Sequence, residues 1–136
     1  MPKKDIKFLF VIAVLALAAF ACSFQASTAN FAEAYMAGDA EGISRTTTFG
    51  QSDVFYAIVR LANAPDTTEV KAVWFAANAE GEAPETLIDD VSITSGDAIL
   101  TFDMANSPDM LWPRGSYRVD LYLNGELETS LTFQVQ

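Results

Sequence analysis

The residue with the most chemistry in this chain is Cys22, its single cysteine. It closes a run from Phe8 to Phe20 that is almost wholly apolar, directly after Ala21. A thiolate is a strong nucleophile, but histidine is absent from all 136 residues. The commonest general base and the commonest zinc ligand are therefore missing. With no cysteine beyond Cys22, thiol catalysis, zinc ribbons and disulfides are excluded from the body of the chain as well. Serine hydrolases and acyl-transfer lysines announce themselves by motifs such as GxSxG or SxxK, and neither occurs. The chain is expected not to be an enzyme and to need no cofactor.

Carboxylates are the other reactive class. Glu80, Glu82 and Glu85, then Asp89 and Asp90, then Asp97, Asp103 and Asp109 fall in groups. Loops of extracellular β-domains hold calcium with such groups, because the ion takes about six to eight oxygen ligands. No EF-hand or repeat-type calcium motif accompanies them. They are read as solvated acids that keep the surface soluble, and no metal is expected.

The elements around Cys22 explain its place. Lys3, Lys4 and Lys7, with Asp5, precede the apolar run, and small residues end it. This is the order of a secretory signal over residues 1–21. The run is shorter than the roughly twenty apolar residues that a spanning helix needs, and it gives way to Ser23, Gln25, Ser27 and Thr28. Leu17-Ala18-Ala19-Phe20-Ala21-Cys22 resembles the lipobox of bacterial lipoproteins. That resemblance implies cleavage between Ala21 and Cys22 and a diacylglyceryl group on the Cys22 sulfur. The protein would then sit on the extracytoplasmic face of a bacterial membrane, in the cell envelope. Ser23, rather than an aspartate, resembles a sorting signal that permits export to an outer membrane. The segment departs from the lipobox at Ala19, where a larger aliphatic residue is usual, and at Phe20, where a small one is. Ala19-Phe20-Ala21 also satisfies the small-x-small rule of ordinary secretory cleavage, which would leave Cys22 as a free thiol.

Charge narrows the partners. The whole chain carries 8 basic and 18 acidic residues, a net charge of −10. Removing residues 1–21 takes away three lysines and one aspartate, leaving 5 basic and 17 acidic residues and a net charge of −12. Such a surface repels phosphate backbones, so nucleic acid is excluded as a partner. It offers no attraction to anionic headgroups either, so a lipid on Cys22 would have to make the membrane contact unaided. An envelope protein or surface polymer remains as the partner class.

Residues 22–43 are rich in Ala, Ser, Thr and Asn and read as a tether. Phe31, Ala34 and Tyr35, at i, i+3 and i+4 behind Asn30 as a cap, offer a short helix as the alternative. From residue 44 apolar residues recur at period two. Strands are predicted at 44–49, 54–61, 69–77, 86–94, 98–104, 116–122 and 126–135. Seven short strands without a helical pattern indicate an all-β, antiparallel sandwich over residues 44–136. In the last hairpin, a two-residue Asn124-Gly125 loop would set Leu121 against Glu128. A three-residue loop from Leu123 to Gly125, with Gly125 as the left-handed residue of a G1 bulge, pairs Leu121 with Leu127 instead.

Trp74 lies on the third predicted strand, and Leu111-Trp112-Pro113-Arg114-Gly115-Ser116-Tyr117 leads into the sixth. This arrangement resembles that of disulfide-free bacterial immunoglobulin-like domains, with their central tryptophan and Pro-x-Gly-x-Tyr lead-in. The resemblance implies a single immunoglobulin-like sandwich in which Tyr117 bonds back across a corner. Trp112 is expected to plug the open end of the sandwich. Turning Trp74 and Tyr117 inward turns Lys71, Val73, Phe75, Arg118, Asp120 and Tyr122 outward on one sheet. Of these, Lys71, Val73, Phe75, Arg118 and Tyr122 form the candidate binding face, apolar and aromatic between two cations. Arg118 and Asp120 are expected to pair with Glu128 or Thr132 on the next strand. A non-enzymatic module that binds or presents a partner is the expected function, with docking by strand addition at a sheet edge as the alternative.

Overall fold

The computed structural model describes residues 28–136. Ala21 and Cys22, with the signal segment and the first part of the expected tether, lie outside the described residues. Eight strands follow: β1 (Asn30–Ala37), β2 (Thr48–Phe49), β3 (Phe55–Ala62), β4 (Thr68–Ala79), β5 (Thr86–Ser95), β6 (Ala98–Met104), β7 (Gly115–Leu123) and β8 (Glu126–Val135). They form a three-stranded sheet ordered β1-β3-β6 and a five-stranded sheet ordered β2-β8-β7-β4-β5. All pairings are antiparallel except the short one between β2 and β8. The architecture is the expected all-β sandwich.

The core lies between the two sheets. Phe55, Ala57, Val59 and Leu61 of β3 face Val70, Ala72 and Trp74 of β4 and Tyr117, Val119 and Leu121 of β7. All ten are buried. Burying each large apolar side chain is worth about 1.5–3 kcal/mol, so this alternating pattern is what selects the sandwich. Toward one end the core becomes aromatic: Phe133 stacks on Tyr117 at 5.6 Å between centroids, and Phe55 on Trp112 at 4.8 Å. Trp74 meets Phe133 edge-on at 6.0 Å. Its indole N–H is buried without a hydrogen-bond partner.

Three expectations are corrected. Residues 30–37 are neither tether nor helix but β1, paired along β3. The helical spacing arises from a β-bulge between Phe31 and Glu33. An extra residue there sets Phe31 and Ala34, three apart, on the same inner face, which imitates a helical step, while Tyr35 turns to the opposite face and its hydroxyl donates to Gly42 O. The strand expected at 44–49 is reduced to Thr48–Phe49, because residues 38–47 carry the chain from one sheet to the other. The carboxylate of Asp39 braces this crossing, accepting the amide N–H of Ile43 at 3.0 Å and of Ser44 at 2.7 Å.

The last hairpin does use the two-residue loop. Leu123 pairs with Glu126, and Asn124 and Gly125 both have positive φ, at 49° and 86°, as a type I′ turn requires. Parity is restored by a bulge at Glu128, which lets Tyr122 pair with Leu127 and Leu121 with Thr129. Tyr117 consequently pairs with Phe133, and Leu127 leaves the core for the outer face, where it is 55% exposed.

Candidate functional site on the outer face of the five-stranded sheet

Registers along β4 bring the predicted face together. Lys71 stands opposite Tyr122, Val73 opposite Asp120 and Phe75 opposite Arg118. On the other side of β4, Phe75 pairs with Leu87 and Val73 with Asp90. Lys71, Val73, Phe75, Arg118 and Tyr122 are all half-buried. Val73, Phe75, Leu87 and Tyr122 line an open groove of about 450 Å³, with Glu69, Lys71 and Asp90 supplying its charges.

Two leucines on this face were not legible beforehand. A further bulge, between Trp74 and Phe75 in the pairing with β5, skips Ile88. It tucks Ile88 against the core and turns Leu87 out beside Phe75. The bulge at Glu128 does the same for Leu127 beside Tyr122. In both strands an extra residue reverses the side-chain parity that a regular alternation would impose.

Electrostatics on the face differ from expectation. Arg118 Nη1 meets Glu85 Oε2 at 2.6 Å, its Nε meets Asp120 Oδ1 at 2.8 Å, and its guanidinium lies 4.6 Å from the Phe75 ring centroid. The expected partners Glu128 and Thr132 are not used: Ser130 donates to the same Asp120 oxygen at 2.7 Å. Asp120 is buried by this arrangement, although it was expected outside. Burial opposes the charge of Arg118, but its bonds to Glu85 and Asp120 outweigh that and raise its pKa above the ordinary value. One guanidinium is thus shared by two carboxylates and an aromatic ring. Lys71 is the cation of this face left without an ion pair among the described residues.

Three aspartates, Asp39, Asp53 and Asp97, brace loops. Asp53 accepts the Gly50 N–H at 2.6 Å and Asp97 accepts the Ala64 N–H at 2.7 Å. The backbone N–H groups of Ser44 and Ile43 hold the Asp39 carboxyl below the usual carboxylate range. Glu80, Glu82, Asp89, Asp90, Asp103 and Asp109 are exposed. Among the described residues no three ligating side chains converge on a common point.

Trp112 closes the end of the sandwich: its indole N–H donates to Asp53 O at 3.0 Å, and its backbone N–H to Gln51 O at 2.8 Å. Tyr117 Oη donates to Pro113 O across the corner before β7. Burial, and secondarily the charge of Glu82, push the Tyr117 phenol up to about 12.

Together the β1-β3-β6 sheet, the β2-β8-β7-β4-β5 sheet, the central Trp74 and the Tyr117 corner define an immunoglobulin-like β-sandwich. An immunoglobulin-like protein from Pseudomonas aeruginosa superposes on this chain with a TM-score of 0.58 at 12% identity. That match covers 83% of this chain and 99% of the other. The alkylpurine DNA glycosylase AlkC of Pseudomonas fluorescens, solved bound to DNA containing an abasic site analog, matches with a TM-score of 0.54 at 12% identity. Here 84% of this chain corresponds to 32% of the glycosylase, so the chain spans about a third of that relative's length. Both likenesses are likenesses of fold. No protein-family model and no curated protein matches this chain.

Proposed function

We propose that the protein is a lipid-anchored, non-enzymatic module of the bacterial cell envelope that binds or presents another envelope protein or a surface polymer. The observation that carries the reading is the outer face of the five-stranded sheet. Val73, Phe75, Leu87 and Tyr122 line one groove there, and no described strand covers it. Contiguous apolar and aromatic side chains on an open sheet have the composition of a protein-binding face. The anchor is supported by the lipobox-like segment ending at Cys22 and by the position of Asn30, the start of the sandwich, only eight residues later. Such a link holds the domain close to the bilayer while leaving its outer sheet free.

Capture of partners from detergent-solubilised envelope tests the binding face. Phe75→Asp and Tyr122→Asp are expected to abolish capture while circular dichroism and the thermal midpoint stay near those of the parent. Full retention of the partner by both folded variants overturns the face. Intact mass tests the anchor: a chain beginning at Cys22 with added diacylglyceryl mass is expected, and a chain beginning there without it overturns lipidation. A second reading, docking by strand addition, is favoured by β5, which pairs with β4 alone and leaves its other edge open from Thr86 to Ser95. That mode predicts the reverse pattern: both aspartate variants bind, and a proline placed in β5 does not.

A further inference from the structure

The end of the sandwich remote from Thr28 and Asn30 carries a separate surface. β1 starts at Asn30 beside Ala62, and Thr28 Oγ1 donates to Asn63 O. The chain therefore enters at the end formed by residues 63–67, 96–97 and 124–125. The far end is built by residues 50–54, by the β4–β5 turn at 80–85 and by the β6–β7 loop at 105–114.

A cleft of about 310 Å³ opens between that turn and that loop. Ile88, Trp112 and Tyr117 form its apolar floor, while Leu87, Met110 and Leu111 stand on its rim. The three rim residues are 55%, 60% and 61% exposed. The loop that carries Met110 and Leu111 is fixed at both sides of them: Met110 N–H donates to Ser107 O at 3.0 Å, and Trp112, which follows Leu111, donates to Gln51 O and Asp53 O. Two adjacent large apolar side chains displayed to water from a fixed loop gain nothing for the fold, and gain a great deal on covering by a partner.

Charge specifies what would cover them. Glu82 is the one charged residue in the lining, and it has no ion-pair partner among the described residues. Its carboxylate is near enough to Tyr117 to disfavour the phenolate. Glu80 shares the turn with Glu82, Asp109 and Arg114 lie in the β6–β7 loop, all three exposed, and no lysine or arginine lines the cleft. An apolar floor under an unpaired carboxylate matches a side chain of opposite character at each point.

We infer that this cleft docks a short segment of a protein partner in which a large apolar side chain adjoins a lysine or arginine. The apolar group lies against Trp112 between Met110 and Leu111, and the cation meets Glu82. This surface is independent of the groove around Phe75, although Leu87 borders both.

A random peptide library displayed on phage, selected against the full-length protein in detergent and counter-selected against the Met110→Ser, Leu111→Ser double variant, provides the test. Enriched peptides are expected to carry Phe, Leu or Met next to Lys or Arg. Synthetic copies should bind the parent and lose all measurable affinity for the double variant, whose thermal midpoint is unchanged. Glu82→Gln should weaken them about tenfold, the scale of one charge-assisted contact. Phe75→Asp and Tyr122→Asp should leave them unaffected, which separates this cleft from the sheet face. Peptides without the cation, peptides that bind the double variant equally, or no enrichment overturn the inference. So does concentration-dependent dimerisation abolished by the double variant, because the occupant is then a second copy, or binding of a glycan polymer in place of the peptides.

Discussion

Tyr117 Oη donates its proton to the carbonyl of Pro113, four residues upstream, while its ring stacks on Phe133 across the β7–β8 pair. A single side chain so fixes the corner where the chain leaves the β6–β7 loop, and it also forms part of the floor of the distal cleft. The loop that displays Met110 and Leu111 is anchored through this bond and through Trp112.

Tyr117→Phe keeps the ring and deletes the bond. It should cost about 1–2 kcal/mol, since Pro113 O loses its partner next to the core. The parent should also show alkaline loosening that the variant lacks. Burial first and Glu82 second raise the folded phenol to about 12, against 10.0 for an ordinary tyrosine. The folded state therefore favours the neutral phenol, and stability is lost as pH rises from about 10 to about 12. Urea midpoints measured at pH 9 and pH 11 check both statements: the parent falls, and Tyr117→Phe stays closer to level.

Gly115 opens β7 with φ at +147°, and a Cβ there would stand 2.7 Å from Ala79 Cα and still nearer Asn78 O. Neither neighbour is a flexible side chain. Gly115→Ala should destabilise by about 2–4 kcal/mol through strain and overpacking. Gly81→Ala, at positive φ with open space around it, should cost about 1 kcal/mol. Chemical denaturation of the two variants side by side gives the comparison.

Asn124 locks the last hairpin to β4: its backbone N–H donates to Glu69 O at 2.8 Å, and its Oδ1 accepts the Glu69 N–H at 3.0 Å. Asn124→Gly retains the positive φ and loses the side-chain bond, for a cost of about 1 kcal/mol. Asn124→Ala loses both and should cost about 1–2 kcal/mol. Equal losses in the two variants would show that backbone conformation contributes nothing.

Asp39 supplies the acid-side counterpart. Its folded pKa is lowered below the ordinary 3.8 by the Ser44 and Ile43 amides. The bracing is present above that value and is lost as pH falls through the lower folded value. Amide chemical shifts of Ile43 and Ser44 should titrate together with a midpoint below 3.8, and Asp39→Asn should remove the titration.

Much of the sandwich was legible because burial on one face imposes a period of two. Phe55, Ala57, Val59 and Leu61, or Tyr117, Val119 and Leu121, alternate without interruption, and their strands fall within a few residues of the predicted ones. The same alternation by itself puts Lys71, Val73, Phe75, Arg118 and Tyr122 on one outer face, where the strand registers bring them together. Three of the departures come from bulges. One near Ala32 disguised β1 as a helical stripe, one at Ile88 brought Leu87 to the groove, and one at Glu128 permitted the Asn124-Gly125 turn. A bulge leaves little trace in a single chain, because it is decided by which neighbouring strand must be matched.

The amino-acid sequence by itself determined the all-β class, the inward row around Trp74, the absence of cysteine and histidine chemistry from the body, and the negative charge. Those follow from residue type and local spacing. Only the tertiary structure decided that Arg118 is neutralised by Glu85 and Asp120, and that Met110 and Leu111 frame a cleft beside Glu82. These contacts join residues far apart in sequence, and their geometry depends on strand registers and loop paths set by packing of the whole sandwich.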